Sequence, residues 1–410
     1  MGIIMGLRCK VCGKKFEGGL KFVCDKCWGP LEVDYDYDVI SETLRKDDLK
    51  KRFFSLWRYL ELLPIEDARN IVDLGDGGTP LHRCRRLGEE FGVKELYVKD
   101  DTVNPTLSFK DRPASVAVSK CREMGINTVG CASTGNLAAA VAAHASKAGL
   151  RCNILVPYNI EPSKILQTAS FGTRIIGVHG TYDNANSLGI LAAEHFGWGM
   201  VNINIRPFYV EGSKTLAYEV CEQLDWETPD TVIIPMASGA LLSSIHRGFK
   251  ELEKLGWINC NTRFVGSQPN GCSPIVNAFK INSEITPVDE PSTIAKSLAI
   301  GNPASGYEAI QVVKERKGTM DSPTDEEILK AMKLLAKFEG IFAEPAGAIT
   351  LATFIRMHED SEIDASEKVV LFVTGNGFKA PGTREKIIEK PVEIEPRLGA
   401  LKNLVDSEET

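Results

Sequence analysis

Four loops in this 410-residue chain carry residue types that chemistry needs, and each lies at the end of a strand-like run. The first is Asn104-Pro-Thr-Leu-Ser-Phe-Lys110-Asp-Arg112, followed by Pro113, which suits a first helical turn because proline has no amide to lose there. That order puts Lys110 at the mouth of a helix. The helix dipole disfavours a cation at that end, which suits an imine-forming amine; a plain surface lysine is the bland alternative. The second loop, Ala132-Ser133-Thr134-Gly-Asn136, opens an alanine-rich run. Small hydroxyl and amide groups above free backbone N–H groups suit a carboxylate, whereas a simple helix cap needs only Ser133 or Thr134. The third, Met236-Ala237-Ser238-Gly239-Ala240-Leu241, joins an apolar strand to a helix. Its amides suit a phosphate, though its one glycine also fits an ordinary tight turn. The fourth, Thr374-Gly-Asn-Gly377, would direct the Thr374 hydroxyl into the cleft where ligands of open α/β sheets sit; an idle glycine turn is the alternative. A lysine, a carboxylate-type loop, a phosphate-type loop and a hydroxyl are together the parts that pyridoxal phosphate chemistry requires.

A separate cluster opens the chain. Cys9, Cys12, Cys24 and Cys27 make two CxxC pairs with eleven residues between them, a spacing that can close one tetrahedral zinc site with no open position for catalysis. Gly18, Gly19 and the Phe22-Val23 pair suit a short hairpin carrying the second pair. Iron, or a metal-free vestige, are the alternatives.

Other chemistries lack their signatures. There is no GxxxxGK[ST], HExxH or GxSxG, and the glycines of Gly75-Asp-Gly-Gly78 run into Thr79-Pro80 rather than a helix. Forty-eight basic against 55 acidic residues leave a charge of −7, which argues against general nucleic-acid binding. No apolar run reaches the roughly 18 to 20 residues of a membrane span. Met1 to Leu7 lacks the basic-then-apolar layout of a secretory signal, so a cytoplasmic protein with reduced cysteines is expected.

The elements that must position these loops alternate strand and helix from Gly75 onward. Strands are expected at Leu96–Val98, Thr128–Ala132, Cys152–Val156, Arg174–Val178, Met200–Asn202, Thr231–Ile234 and Lys368–Val373. Helices are expected at 114–124, 136–147, from about 184, at 212–224 and at 241–255, with a capping box of Thr324 and Glu327 before another. Such alternation implies an α/β fold of parallel sheets with helices on both faces, in two lobes. The division expected is a zinc ribbon over 1–34, a connector over 35–74, a catalytic fold over 75–390 with a small lobe near 112–212, and a loosely ordered acidic tail over 391–410.

With these residues in view, the chain resembles the threonine synthase branch of the fold-type-II pyridoxal phosphate enzymes, a tryptophan-synthase-β-like architecture. The resemblance rests on the ribbon with Gly29-Pro-Leu-Glu-Val33, on Gly78-Thr-Pro-Leu81, Ser108-Phe-Lys-Asp-Arg112, Cys131-Ala-Ser-Thr-Gly-Asn136 and Glu211-Gly-Ser-Lys-Thr215, and on Ala299-Ile-Gly-Asn-Pro-Ala304, Gly340-Ile-Phe-Ala-Glu-Pro-Ala-Gly347 and Thr374-Gly-Asn-Gly377. It implies that Lys110 binds the cofactor as an imine and moves protons, that Asn136 bonds the ring's phenolic oxygen, and that Thr374 meets the pyridine nitrogen. Ser133 and Thr134 would take the substrate carboxylate, and Ala237, Ser238, Gly239, Ala240 and Leu241 the cofactor phosphate.

The implied reaction converts O-phospho-L-homoserine and water to L-threonine and phosphate. Two departures bear on the substrate. Many threonine synthases place an arginine where this chain has Tyr209, and a hydroxyl residue where it has Leu137. Arg206 and Tyr209 are the expected compensating contacts to the leaving phosphate. Lys214 is either a third such contact or a structural ion-pair partner of Glu211 or Glu219. Alternative readings are a paralogue performing β-replacement on O-phosphoserine, of cysteate- or cysteine-synthase type, and a threonine or serine dehydratase. The expected partners are a small phosphorylated amino acid and a second copy of the chain, with neither nucleic acid nor membrane.

Overall fold

A computed structural model of the protein describes residues 3–21, 23–384 and 391–408. Phe22 and the expected domain limit at residue 390 lie outside the described residues.

Three sheets organise the described residues. Strand Ile4–Cys9 pairs antiparallel with Lys15–Phe16 on one side and Leu31–Tyr35 on the other, forming the small N-terminal sheet. The six-stranded sheet runs in the order Thr319–Asp321, Arg263–Ser267, Thr231–Pro235, Lys368–Val373, Glu95–Asp100, Leu81–Arg83. All its pairings are parallel except the edge pair of Leu81–Arg83 with Glu95–Asp100. A four-stranded parallel sheet, in the order Arg174–Val178, Arg151–Pro157, Thr128–Ala132, Gly199–Met200, carries the second lobe. The central strands are apolar throughout (Val-Ile-Ile at 232–234, Val-Val-Leu-Phe-Val at 369–373) because helices bury both faces.

The helices follow from the same patterning. Asn136–Ala148 is nearly all alanine on its buried side and ends at Gly149, whose φ of 67° supplies the left-handed cap. Asp325–Glu339 starts on the reciprocal capping box of Thr324 and Glu327. Three expectations shift. The helix placed at 114–124 begins at Asp111, which leaves Lys110 directly before it. The segment placed as one helix over 212–224 is two, Arg206–Ser213 and Thr215–Gln223, meeting at Lys214. The strand placed at Met200–Asn202 is the two-residue pairing Gly199–Met200. Strands Arg263–Ser267 and Thr319–Asp321 and helix Pro345–Glu359 are additions.

Residues 35–74 pack closely. Leu49, Leu56, Tyr59 and Leu62 are fully buried, and the Tyr59 hydroxyl donates to Glu222 at 2.5 Å. Within the described part of the tail, Leu398–Glu408 is a helix in which Leu398, Leu401 and Val405 recur at helical spacing and stand exposed. No helix of the described residues is long and apolar enough to cross a membrane.

Candidate active site

The loop before Lys110 is held from several directions. Leu107 adopts a φ of 67°, a left-handed conformation a leucine keeps only where its surroundings enforce it. The Phe109 amide donates to the Thr374 carbonyl at 2.9 Å and the Asn376 amide to the Leu107 carbonyl at 3.0 Å, so the Lys110 and Thr374 loops pair with each other. Asp111 accepts from the Thr106 amide and hydroxyl, both at 2.7 Å.

Arg112 is fully buried and bonds Asp101 through Nε at 2.7 Å, and Thr79 and Glu219 through Nη2 at 3.0 and 2.9 Å. Lys99 meets Glu219 at 2.6 Å, and Glu219 also accepts from the amides of Gly78 and Thr79 at 2.8 and 3.2 Å. Burial alone would raise the Glu219 carboxyl, but Arg112 and Lys99 hold it down at about 2. Gly78 must be glycine here, because a Cβ would stand 2.1 Å from the Phe54 carbonyl oxygen and its φ is 59°. The Gly-Thr-Pro-Leu and Ser-Phe-Lys-Asp-Arg segments are thus two halves of one buried ionic network that fixes where Lys110 begins.

Lys110 is half-buried, and its Nζ donates to the Tyr209 hydroxyl at 3.0 Å. Tyr209 reaches it because Gly212 on the same helix has no side chain. A Cβ there would lie 2.3 Å from the Arg112 carbonyl oxygen, so helix Arg206–Ser213 rests directly on the start of the Lys110 helix. Arg206 lies one turn before Tyr209 and donates to the Ser305 hydroxyl at 3.0 Å. The Ser305 amide donates to the Ser238 carbonyl at 2.9 Å, which ties Arg206 to the third loop. Lys214 does not join this group: it is buried and paired with Glu211 at 2.7 Å and Glu251 at 3.0 Å, so of its two readings the ion pair is the one observed.

Two helix mouths among the loops singled out above lack side-chain caps. Gly135 precedes Asn136–Ala148, with the half-buried Ser133 and Thr134 beside it. Gly239 precedes Ala240–Lys254 with a φ of 89°, and a Cβ on it would stand 2.6 Å from the Ser305 carbonyl oxygen. These mouths offer backbone amides to anions. Thr374 is buried at the end of its strand, next to Gly347, where a Cβ would come 2.9 Å from the Thr374 nitrogen. Asn136 donates through Nδ2 to Glu344 at 2.9 Å. An amine, two amide-lined anion sites and a strand-end hydroxyl fit pyridoxal phosphate and an amino-acid carboxylate.

Sequence reasoning gave no role to Ser305, Glu344 or Lys379. Ser305 directly follows Ile-Gly-Asn-Pro-Ala, and Glu344 lies within Ala-Glu-Pro-Ala-Gly, so both stood inside motifs already singled out. Lys379, two residues past Gly377, donates to the Thr106 carbonyl at 3.1 Å and to Gln167. At the other end of the chain, the sulfurs of Cys9, Cys12, Cys24 and Cys27 all lie within 4.8 Å of one another.

The family of pyridoxal-phosphate dependent enzymes matches residues 72–375. Threonine synthase of Methanocaldococcus jannaschii is 41% identical over 402 residues, covering 97% of this chain and 98% of its own. The chain belongs to the threonine synthase family of pyridoxal-phosphate-dependent enzymes. Threonine synthase of Methanosarcina acetivorans is 38% identical over the same 97% of this chain and 98% of its own, and that of Halalkalibacterium halodurans is 39% identical over 82% of this chain and 93% of its own. Among solved structures, diaminopropionate ammonia lyase from Escherichia coli superposes with a TM-score of 0.66 at 20% identity, covering 78% of this chain and 90% of that one. Maize serine racemase superposes with a TM-score of 0.62 at 23% identity, covering 80% and 92%. These two share the fold, while the identities of the threonine synthase family carry the assignment.

Proposed function

We propose that this enzyme converts O-phospho-L-homoserine and water to L-threonine and phosphate. The observation that carries the substrate is Arg206, a guanidinium one helical turn from the tyrosine that touches Lys110. A dianionic leaving group entering a cleft needs such a cation, whereas a dehydratase, expelling a hydroxyl, has no comparable need.

Pyridoxal phosphate, when bound, supplies the electron-withdrawing ring that makes the neighbouring C–H bonds of the substrate acidic. Lys110 is the residue that anchors it and then takes and returns protons. The amides of Ala237, Ser238, Gly239, Ala240 and Leu241 hold its phosphate, Asn136 its phenolic oxygen and Thr374 its ring nitrogen. Ser133 and Thr134, with the uncapped amides beside them, hold the substrate carboxylate. Arg206 and Tyr209 hold the leaving phosphate. The α proton and one of the two β protons are removed, and the γ C–O bond breaks with its electron pair leaving on phosphate. A proton is added at the γ carbon, the hydroxyl of water adds at the β carbon, and a proton returns to the α carbon.

Phosphate release and oxoacid formation, measured side by side on a substrate panel, test this reading. Phosphohomoserine should be the fast substrate, with threonine formed in equal amount. Faster turnover of phosphoserine with sulfite, or of threonine to an oxoacid, would replace it.

The Tyr209 contact has its own expectation. Tyr209→Phe should lose about 1 kcal/mol of transition-state stabilisation, the usual worth of one hydrogen bond, seen as roughly a fivefold fall in kcat/KM.

We further infer structural zinc on Cys9, Cys12, Cys24 and Cys27, supported by four sulfurs within 4.8 Å. Elemental analysis should find about one zinc per chain. A chelator should lower the melting temperature and leave kcat of the still-folded enzyme unchanged; loss of kcat alone would make the metal catalytic. The enzyme is read as cytoplasmic and as a homodimer; the exposed Leu188, Leu191 and Phe196 along one helix, which a second copy would cover, support the dimer. Its chain is read as ribbon, connector, two-lobed catalytic fold and tail, with the limits given above.

A further inference from the structure

One buried carboxylate in the cleft has no part in that scheme. Glu344 directly precedes helix Pro345–Glu359 but does not cap it with its side chain. It is only 3% exposed. Its Oε1 accepts from Asn136 Nδ2 at 2.9 Å, and the Ser297 side chain bonds it as well. A Cβ on Gly375 would stand 2.4 Å from the same Oε1, so the carboxylate lies against the backbone just past Thr374. Its own amide donates to the Gly375 carbonyl at 2.8 Å. The charges that face it are Lys379 and Lys110. Burial pushes its carboxyl up to about 7, against the opposing pull of Lys379 and the bonds from Asn136 and Ser297.

A buried carboxylate is costly, and its chemistry suggests why a neutral residue does not replace it. An asparagine amide has two N–H donors and one acceptor, and a bare amide can flip. Above the pH at which it ionises, the carboxylate only accepts, so in that form it meets Asn136 from the nitrogen side alone. A glutamine would bring donors of its own and could satisfy either orientation.

We propose that Glu344 is a positioning residue: by accepting one N–H of Asn136 it fixes the amide so that the second N–H is presented to the phenolic oxygen of the cofactor. The inference rests on the cofactor placement proposed above. It adds a group that touches neither cofactor nor substrate and acts through Asn136.

The test uses the full chain loaded with pyridoxal phosphate. Three quantities are read: the visible band of the lysine-linked cofactor, the pH at which that band titrates, and the cofactor dissociation constant. Glu344→Ala and Asn136→Ala should each weaken cofactor binding about tenfold, the effect of one hydrogen bond to a charged group, and shift the titration in the same direction. The double variant should be no worse than Asn136→Ala alone, since the two act as a unit. Glu344→Gln preserves size and carries the same cycle where the alanine variant does not fold; it should shift the titration in that same direction. Bands and titrations unchanged in both Glu344 variants, or losses that multiply in the double variant, would overturn the inference and leave the cofactor placement standing. A wild-type protein without a lysine-linked band would overturn the placement, and the inference with it.

Discussion

Lys110→Ala is expected to abolish turnover and to remove the visible band of lysine-linked pyridoxal phosphate, while leaving a folded protein. The expectation follows from how the lysine is held. Its helix begins at Asp111, and its preceding loop is bonded to the Thr374 loop. Its neighbour Arg112 is locked into a buried network with Asp101, Glu219 and Thr79. None of those contacts uses the Lys110 side chain, whose one hydrogen-bond partner among the described residues is Tyr209. Truncating it should therefore cost chemistry and little stability. Circular dichroism and the melting temperature separate the two, and an alanine variant with normal turnover would remove the mechanism.

Arg206→Ala is the second large effect. If the guanidinium holds the leaving phosphate, its removal should cost about 2 to 5 kcal/mol of transition-state stabilisation, the range for unpairing a desolvated charge. The loss should be far smaller for a substrate whose leaving group is uncharged. Comparing kcat/KM for the two kinds of substrate in both proteins isolates the phosphate contribution. Equal losses would show that Arg206 only supports the fold through Ser305.

Much of the fold was legible in the sequence because its central strands are continuous apolar runs separated by capped helices. Thr128–Ala132, Arg174–Val178 and Lys368–Val373 fall where patterning puts them. Arg263–Ser267 was missed because its exposed-looking arginine and its glycine interrupt a short run, and pairing with Thr231–Pro235 on one side and Thr319–Asp321 on the other makes it a strand. The break at Lys214 was hidden because the residues around it carry the same helical spacing as a continuous helix. Lys214 also illustrates why charge alone does not assign a site: its partners Glu211 and Glu251 are 3 and 37 residues away, and only packing brings the second to it. Lys110 was legible from its local setting at a helix mouth. Glu344 was not, because its partner Asn136 lies 208 residues earlier and meets it only across the cleft.

The most direct test of the account is to run the enzyme on phosphohomoserine in oxygen-18 water and weigh both products. Breaking the γ C–O bond and adding water at the β carbon predicts threonine carrying one heavy oxygen in its hydroxyl, with phosphate released unlabelled in equal amount. Label in the phosphate, or threonine without it, would contradict the proposed reaction.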